Sequence, residues 1–82
     1  MTCAVVLKPR AERDLKSLSP DDARRVLLRL RTLENNLAGD VKKLSNFTPS
    51  YRMRAGDWRA LFEVEDGRVV IYRILHRRES YR

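Results

Sequence analysis

At 82 residues, 43% of them hydrophobic and with only three glycines and three prolines, the chain is expected to form one domain over 1–82, which excludes a second domain, a long linker and a disordered tail. Eighteen Lys and Arg against eleven Asp and Glu give a formal net charge of +7, which points to a polyanionic partner and is silent on chemistry. A single cysteine, Cys3, excludes an internal disulfide and reads as a buried thiol, and a single histidine excludes a two-histidine metal site, so no metal and no cofactor are expected.

No apolar run approaches the roughly 20 residues of a membrane span or the 7 to 15 of a signal-peptide core. A cytoplasmic protein with no membrane partner is therefore expected. The first element is a short, buried strand over Cys3 to Leu7, stopped by Pro9. Ala11, Leu15 and Leu18 then recur at helical spacing behind a proline suited to a first turn, which predicts a short helix. Ser19-Pro20-Asp21-Asp22 starts a second helix: the serine accepts from an orphan amide, and two carboxylates oppose the positive end of the helix dipole. Its apolar stripe is Ala23, Val26, Leu27, Leu30, Leu33 and Leu37, with Arg24, Arg25, Arg29 and Arg31 mostly off it, and it should end by Ala38 before Gly39.

Residues 40–50 read as a loop anchored by Val41, Leu44 and Phe47. Tyr51 to Arg54 alternates with period two, Gly56-Asp57 marks a turn, Trp58 to Glu65 is rich in strand formers, Asp66-Gly67 is a two-residue hairpin signal, and Arg68 to Leu75 is the most strand-like segment. The predicted order β-α-α-β-β-β is an α+β arrangement, a two-helix hairpin packed on one face of a small, mainly antiparallel twisted sheet.

Hairpin register follows from loop length, so the Asp66-Gly67 turn should pair Val64 with Val69, Phe62 with Ile71 and Ala60 with Arg73. Trp58, Ala60, Phe62 and Val64 then share the face under the helices, while Val70, Tyr72 and Ile74 join Arg59, Leu61 and Glu63 on the other. The preceding turn could be Ala55-Gly56 or Gly56-Asp57. Either choice has the same parity and puts Arg52 and Arg54 on the face of Arg59. Like charges on neighbouring strands repel by about 0.2–1 kcal/mol per close pair, so three guanidinium groups on one face favour a phosphate-binding role. The plainer alternative is a solvated strand face with Arg59 paired to Glu63.

The C-terminal stretch His76-Arg77-Arg78-Glu79-Ser80-Tyr81-Arg82 adds two groups able to move protons, His76 and Tyr81. Nearby guanidinium charge favours a phenolate, although a packing role is the commoner fate of a Tyr near a terminus, and His76 could simply cap the last strand. No nucleophile elbow and no glycine-rich phosphate loop is present.

Taken together, Pro9-Arg10-Ala11-Glu12-Arg13-Asp14-Leu15, Tyr51-Arg52-Met53-Arg54-Ala55-Gly56-Asp57-Trp58-Arg59 and the ending His76-Arg77-Arg78-Glu79-Ser80-Tyr81 resemble the RelE/ParE superfamily of bacterial toxin-antitoxin toxins, in particular its RelE branch, across essentially the whole chain. The resemblance implies a ribosome-dependent endoribonuclease, an mRNA interferase that cuts mRNA in the ribosomal A site and is held inactive by a cognate antitoxin, with DNA bound only indirectly through that antitoxin. Carried over residue by residue, Arg52, Arg54 and Arg59 would bind the scissile phosphate, Arg59, Arg77 and Tyr81 would be catalytic with Tyr81 as base, and His76 would be an accessory candidate. Relatives often have Lys at Arg52 and Arg54, Gly at Leu75 and Tyr at Trp58. Because Arg stays protonated, Arg52 and Arg54 could act only electrostatically. The alternatives are a ParE-like toxin that inhibits DNA gyrase without nuclease activity, and an inactive RNA-binding relative.

Overall fold

The computed structural model describes residues 4–34, 41–44 and 49–79. Cys3, Leu37, Gly39, Phe47 and Tyr81 lie outside the described residues. The elements are strand β1 (Ala4–Leu7), helices α1 (Pro9–Lys16) and α2 (Pro20–Thr32), and strands β2 (Val41–Lys43), β3 (Tyr51–Ala55), β4 (Trp58–Glu65) and β5 (Arg68–His76). Pro9 and Pro20 open their helices, where a missing N–H removes nothing, and the Ser19 hydroxyl accepts from the Asp22 amide at 3.3 Å.

The five strands form one sheet in the order β1-β5-β4-β3-β2, antiparallel except for the parallel β1–β5 pair. One face packs on the helices. Phe62, Met53, Ile71 and Val69 from the sheet meet Ala11, Val26, Leu30 and Leu33 from the helical layer, all buried, and Tyr51 stacks on Phe62 with ring centroids 5.3 Å apart. Burial of that many apolar side chains is what holds an otherwise marginal chain length together. No helix among the described residues is long and apolar enough to cross a membrane.

Four expectations need correction. The segment 40–50 is not all loop: Val41–Lys43 pairs antiparallel with β3 and makes the order β-α-α-β-β-β-β. Three residues, two of them Lys, are too few to display an alternation. The first strand is an edge strand rather than a buried one, since only β5 pairs with it, and Val6 is left 43% exposed. Helix α2 ends at Thr32, within the limit of Ala38 but before Leu33, which the apolar stripe had counted in the helix, and Leu33 and Glu34 donate to Leu30 and Arg31 in tight i→i+3 bonds.

The fourth correction concerns register. Val64↔Val69 and Phe62↔Ile71 pair as expected, but Ala60 faces Ile74 and Leu61 faces Arg73 because β5 carries one additional residue, Tyr72, in a bulge. Parity on β5 flips beyond it, so Ile74 joins the covered face and is buried. The same bulge brings Arg73 to α1. There Asp14 accepts from Arg73 Nε at 2.7 Å and from the Ile74 amide at 3.0 Å. Pairing with β1 stops at Leu7↔Ile71, so this carboxylate closes the β5 edge where β1 runs out. Burial disfavours the Asp14 charge, but the bonds from Arg73 and Ile74 with the charges of Arg73 and Arg10 outweigh it and hold the carboxyl below its usual range.

Candidate functional site

The turn between β3 and β4 builds the site. Ala55 faces Trp58 across Gly56-Asp57, and Gly56 has φ +63°, the left-handed value that a primed two-residue turn takes at its first central position. This register makes Arg54 and Arg59 direct cross-strand partners. Arg52 lies two residues back on the same strand face, between Leu61 and Lys42. Met53 and Ala55 point the other way into the core, so Arg52, Arg54 and Arg59 stand on the opposite strand face, as the parity of the hairpin required.

Arg59 is held unlike its neighbours. It is 5% exposed, and its Nη1 donates to the Gly56 carbonyl at 2.7 Å and to the Trp58 carbonyl at 3.0 Å. The guanidinium is thereby folded onto its own turn. Its Nε–H is buried with no hydrogen-bond partner among the described residues. Glu63 does not pair with it, because that carboxylate is engaged by Ser50, whose amide donates at 2.8 Å and whose hydroxyl donates at 3.3 Å.

The chain end returns to the same turn. Beyond β5, the Arg77 amide donates to the Asp57 carbonyl at 2.7 Å, and Arg77 Nη1 stands 3.9 Å from Asp57 Oδ1 in an exposed pair. The result is an open cleft of about 430 Å³ lined by Arg29, Arg54, Gly56, Asp57, Arg59 and Arg77. Among the described residues that line it are four arginines and one acidic residue, Asp57. Such a cleft can bind a phosphate and stabilise charge that grows on it, but guanidinium cannot take up a proton.

Of the residues singled out from the sequence, Arg54, Arg59 and Arg77 meet in this cleft. Arg52 shares the face without lining the cleft, and Tyr81 lies outside the described residues. His76 is directed elsewhere: it faces Trp58 across β4 and β5, its ring stands edge-on to that indole at 5.3 Å, and its Nδ1 accepts from the Arg78 amide at 3.3 Å. Two basic residues were missed. Lys42 stands beside Arg52 once β2 is recognised as a strand, and Arg29 reaches the cleft from α2, where its position off the apolar stripe gave no hint of a shared site.

A family model described as the ParE toxin of the type II toxin-antitoxin system parDE matches residues 5–81. The curated Toxin RelE3 of Methanocaldococcus jannaschii is 30% identical over 74 residues, covering 84% of each chain. Among solved structures, the RelB-RelE antitoxin-toxin complex from Methanococcus jannaschii superposes with a TM-score of 0.75 at 28% identity, over 93% of this chain and 94% of that one. The toxin-antitoxin complex RelBE2 from Mycobacterium tuberculosis gives 0.80 at 26% identity, over 93% and 99%. The archaeal RelE-RelB complex from Pyrococcus horikoshii OT3 gives 0.74 at 29% identity, over 94% and 97%.

Proposed function

This chain belongs to the RelE branch of the RelE/ParE superfamily of type II toxin-antitoxin toxins, and from that premise we propose that it is a ribosome-dependent endoribonuclease that cleaves mRNA in the ribosomal A site and is restrained by a cognate antitoxin. One observation carries the reading: a single two-residue turn brings Arg54, Arg59 and Arg77 to one open cleft. In the reaction, a ribose 2′-oxygen bonds to the adjacent phosphorus and gives its proton to a base. The bond from phosphorus to the 5′-oxygen then breaks, and that oxygen takes up a proton, leaving a 2′,3′-cyclic phosphate and a 5′-hydroxyl end.

Negative charge accumulates on the phosphoryl oxygens in the transition state, so fixed guanidinium donors lower the barrier without reorganising. Arg59 is held in place by its bonds to the Gly56 and Trp58 carbonyls. Arg54 neutralises the phosphate from β3, Arg52 adds positive charge two residues back on the same strand face, and Arg77, tied to the turn by its own amide, serves the leaving oxygen. Tyr81 is assigned the base. The ribosome supplies the alignment of the 2′-oxygen with phosphorus that the small domain does not provide alone.

The test is induction in growing cells with mapping of transcript 5′ ends, with and without stalled ribosomes. New ends inside translated codons that vanish when ribosomes are absent from the message support the nuclease. A second reading goes with the ParE name of the family model: a ParE-like toxin that inhibits DNA gyrase would instead give uncut messages and a DNA-damage response.

A further inference from the structure

His76 does not line the cleft, yet it bridges the two segments that build it. The Gly56 and Trp58 carbonyls accept from Arg59 Nη1, and the Asp57 carbonyl between them accepts from the Arg77 amide. His76 pairs with Trp58 across β4 and β5 and stands edge-on to its indole, which seats the imidazole on this same turn. The ring also engages the segment after β5. Its Nδ1 accepts from the Arg78 amide at 3.3 Å, and the His76 carbonyl accepts from the Glu79 amide at 2.8 Å. The turn that carries Arg77 away from β5 is thus closed twice, once by backbone and once by the imidazole.

Cross-strand packing explains the ring, because any aromatic side chain opposite Trp58 would supply it. It does not explain the acceptor. A side-chain acceptor bonded to the amide two residues on is the device by which Asn and Asp fix turns, and it needs no aromatic ring. Histidine combines the two. We propose that His76 is a positioning residue for Arg77: its ring is anchored on Trp58 and its Nδ1 fixes the Arg78 amide, so that the guanidinium one residue earlier is presented to the cleft in one orientation. This rests on the reading that Arg77 serves the leaving oxygen, and it assigns His76 no contact with RNA and no proton transfer.

The experiment follows message cleavage in a cell-free translation reaction, at varied ribosome concentration, for two variants that each keep one half of the side chain. His76→Phe keeps an aromatic edge for Trp58 and loses the acceptor, whereas His76→Asn loses the ring and keeps an acceptor for the amide two residues on. His76→Phe should lower the maximal cleavage rate about 10–10²-fold with the half-saturating ribosome concentration unchanged, and His76→Asn should restore most of that rate. Where the unmodified chain cuts messages, the reverse order or equal rates for the two variants overturns the proposal. Added to Arg77→Gln, His76→Phe should cost nothing further, and additive losses would mean that it does not act through Arg77. Amide hydrogen exchange at Arg77 and Arg78, read by NMR on the free chain, reports the attachment without any cleavage: it should quicken in His76→Phe and not in His76→Asn. Intact messages with that exchange pattern refute the nuclease reading and keep the attachment of Arg77 by His76. Unchanged exchange in His76→Phe overturns the proposal whatever the messages show.

Discussion

Asp14 secures the end of the sheet from which Arg77 emerges, and replacing it tests whether that attachment is as strong as its geometry implies. Its carboxylate accepts from the Ile74 amide at 3.0 Å and from Arg73 Nε and Nη2 at 2.7 and 3.3 Å, with the two side chains 15% and 33% exposed. Hydrogen bonds to a charged group contribute about 1.5–3 kcal/mol each, and the partly exposed Arg73 pair counts for less because water screens it. Asp14→Ala, which leaves the Ile74 amide without its acceptor, should therefore destabilise the chain by about 2–3 kcal/mol. At roughly 4–8 °C per kcal/mol for a domain of this size, the melting temperature falls by about 10–20 °C.

Asp14→Asn keeps an oxygen for Ile74 and loses the charge, so about 1 kcal/mol is expected. The pH dependence separates the two contributions. The folded Asp14 carboxyl titrates below its ordinary value of 3.8. A depressed folded pKa contributes its stability in full above the unfolded pKa of about 4 and loses it as pH falls through the lower folded value. Thermal melts followed by circular dichroism should show a constant gap between the unmodified chain and Asp14→Asn from about pH 8 to 5, closing below about pH 4. A gap that persists undiminished into acid, or an Asp14→Ala melt that matches the unmodified chain, would refute the clip.

Gly56→Ala meets no atom within 4 Å of the added carbon, so its effect is the strain of φ +63° alone, about 1–2 kcal/mol in a urea titration, together with weaker message cleavage because the Gly56 carbonyl anchors Arg59. Asp57→Asn removes a carboxylate of the cleft and an exposed pair 3.9 Å long; stability should move by less than about 0.5 kcal/mol while RNA affinity at low salt rises, and unchanged affinity would argue against the cleft as the RNA site. Phe62→Ala, at a fully buried position, should cost about 3–5 kcal/mol, enough to unfold much of the chain at 37 °C by circular dichroism. Arg59→Ala should both abolish cleavage and lower the melting temperature, since it removes the donor to the Gly56 and Trp58 carbonyls; a lost activity with an unchanged melt would mean those bonds contribute nothing to folding.

The parts of the fold set by adjacent residues were legible in the sequence. Ser19-Pro20-Asp21-Asp22 starts α2, and Asp66-Gly67 adopts the two positive φ values, 50° and 73°, that its turn demands. Hairpin parity sufficed to put Arg52, Arg54 and Arg59 on one face. What escaped depends on residues distant in the chain. The bulge at Tyr72 has no glycine to announce it; it forms because flipping the strand buries Ile74 and delivers Arg73 to Asp14, a partner 59 residues away. Strand β2 exists through its pairing with β3 rather than through its own three residues. Arg29 enters the cleft only because α2 packs against the sheet near that turn, and helical periodicity reports which face is apolar without reporting what the polar face will meet.

The exposed Arg54 is the handle on the chemistry, because it lines the cleft as the direct cross-strand partner of Arg59. The deciding measurement is the yield of 5′-hydroxyl message ends in a cell-free translation reaction, unmodified chain against Arg54→Gln. Cleavage within the A-site codon by the unmodified chain, reduced about 10²–10³-fold in the variant at an unchanged melting temperature, is the expected result. Intact messages with the unmodified chain, or undiminished cutting by Arg54→Gln, would contradict a phosphate cleft at the β3–β4 turn as the seat of the reaction.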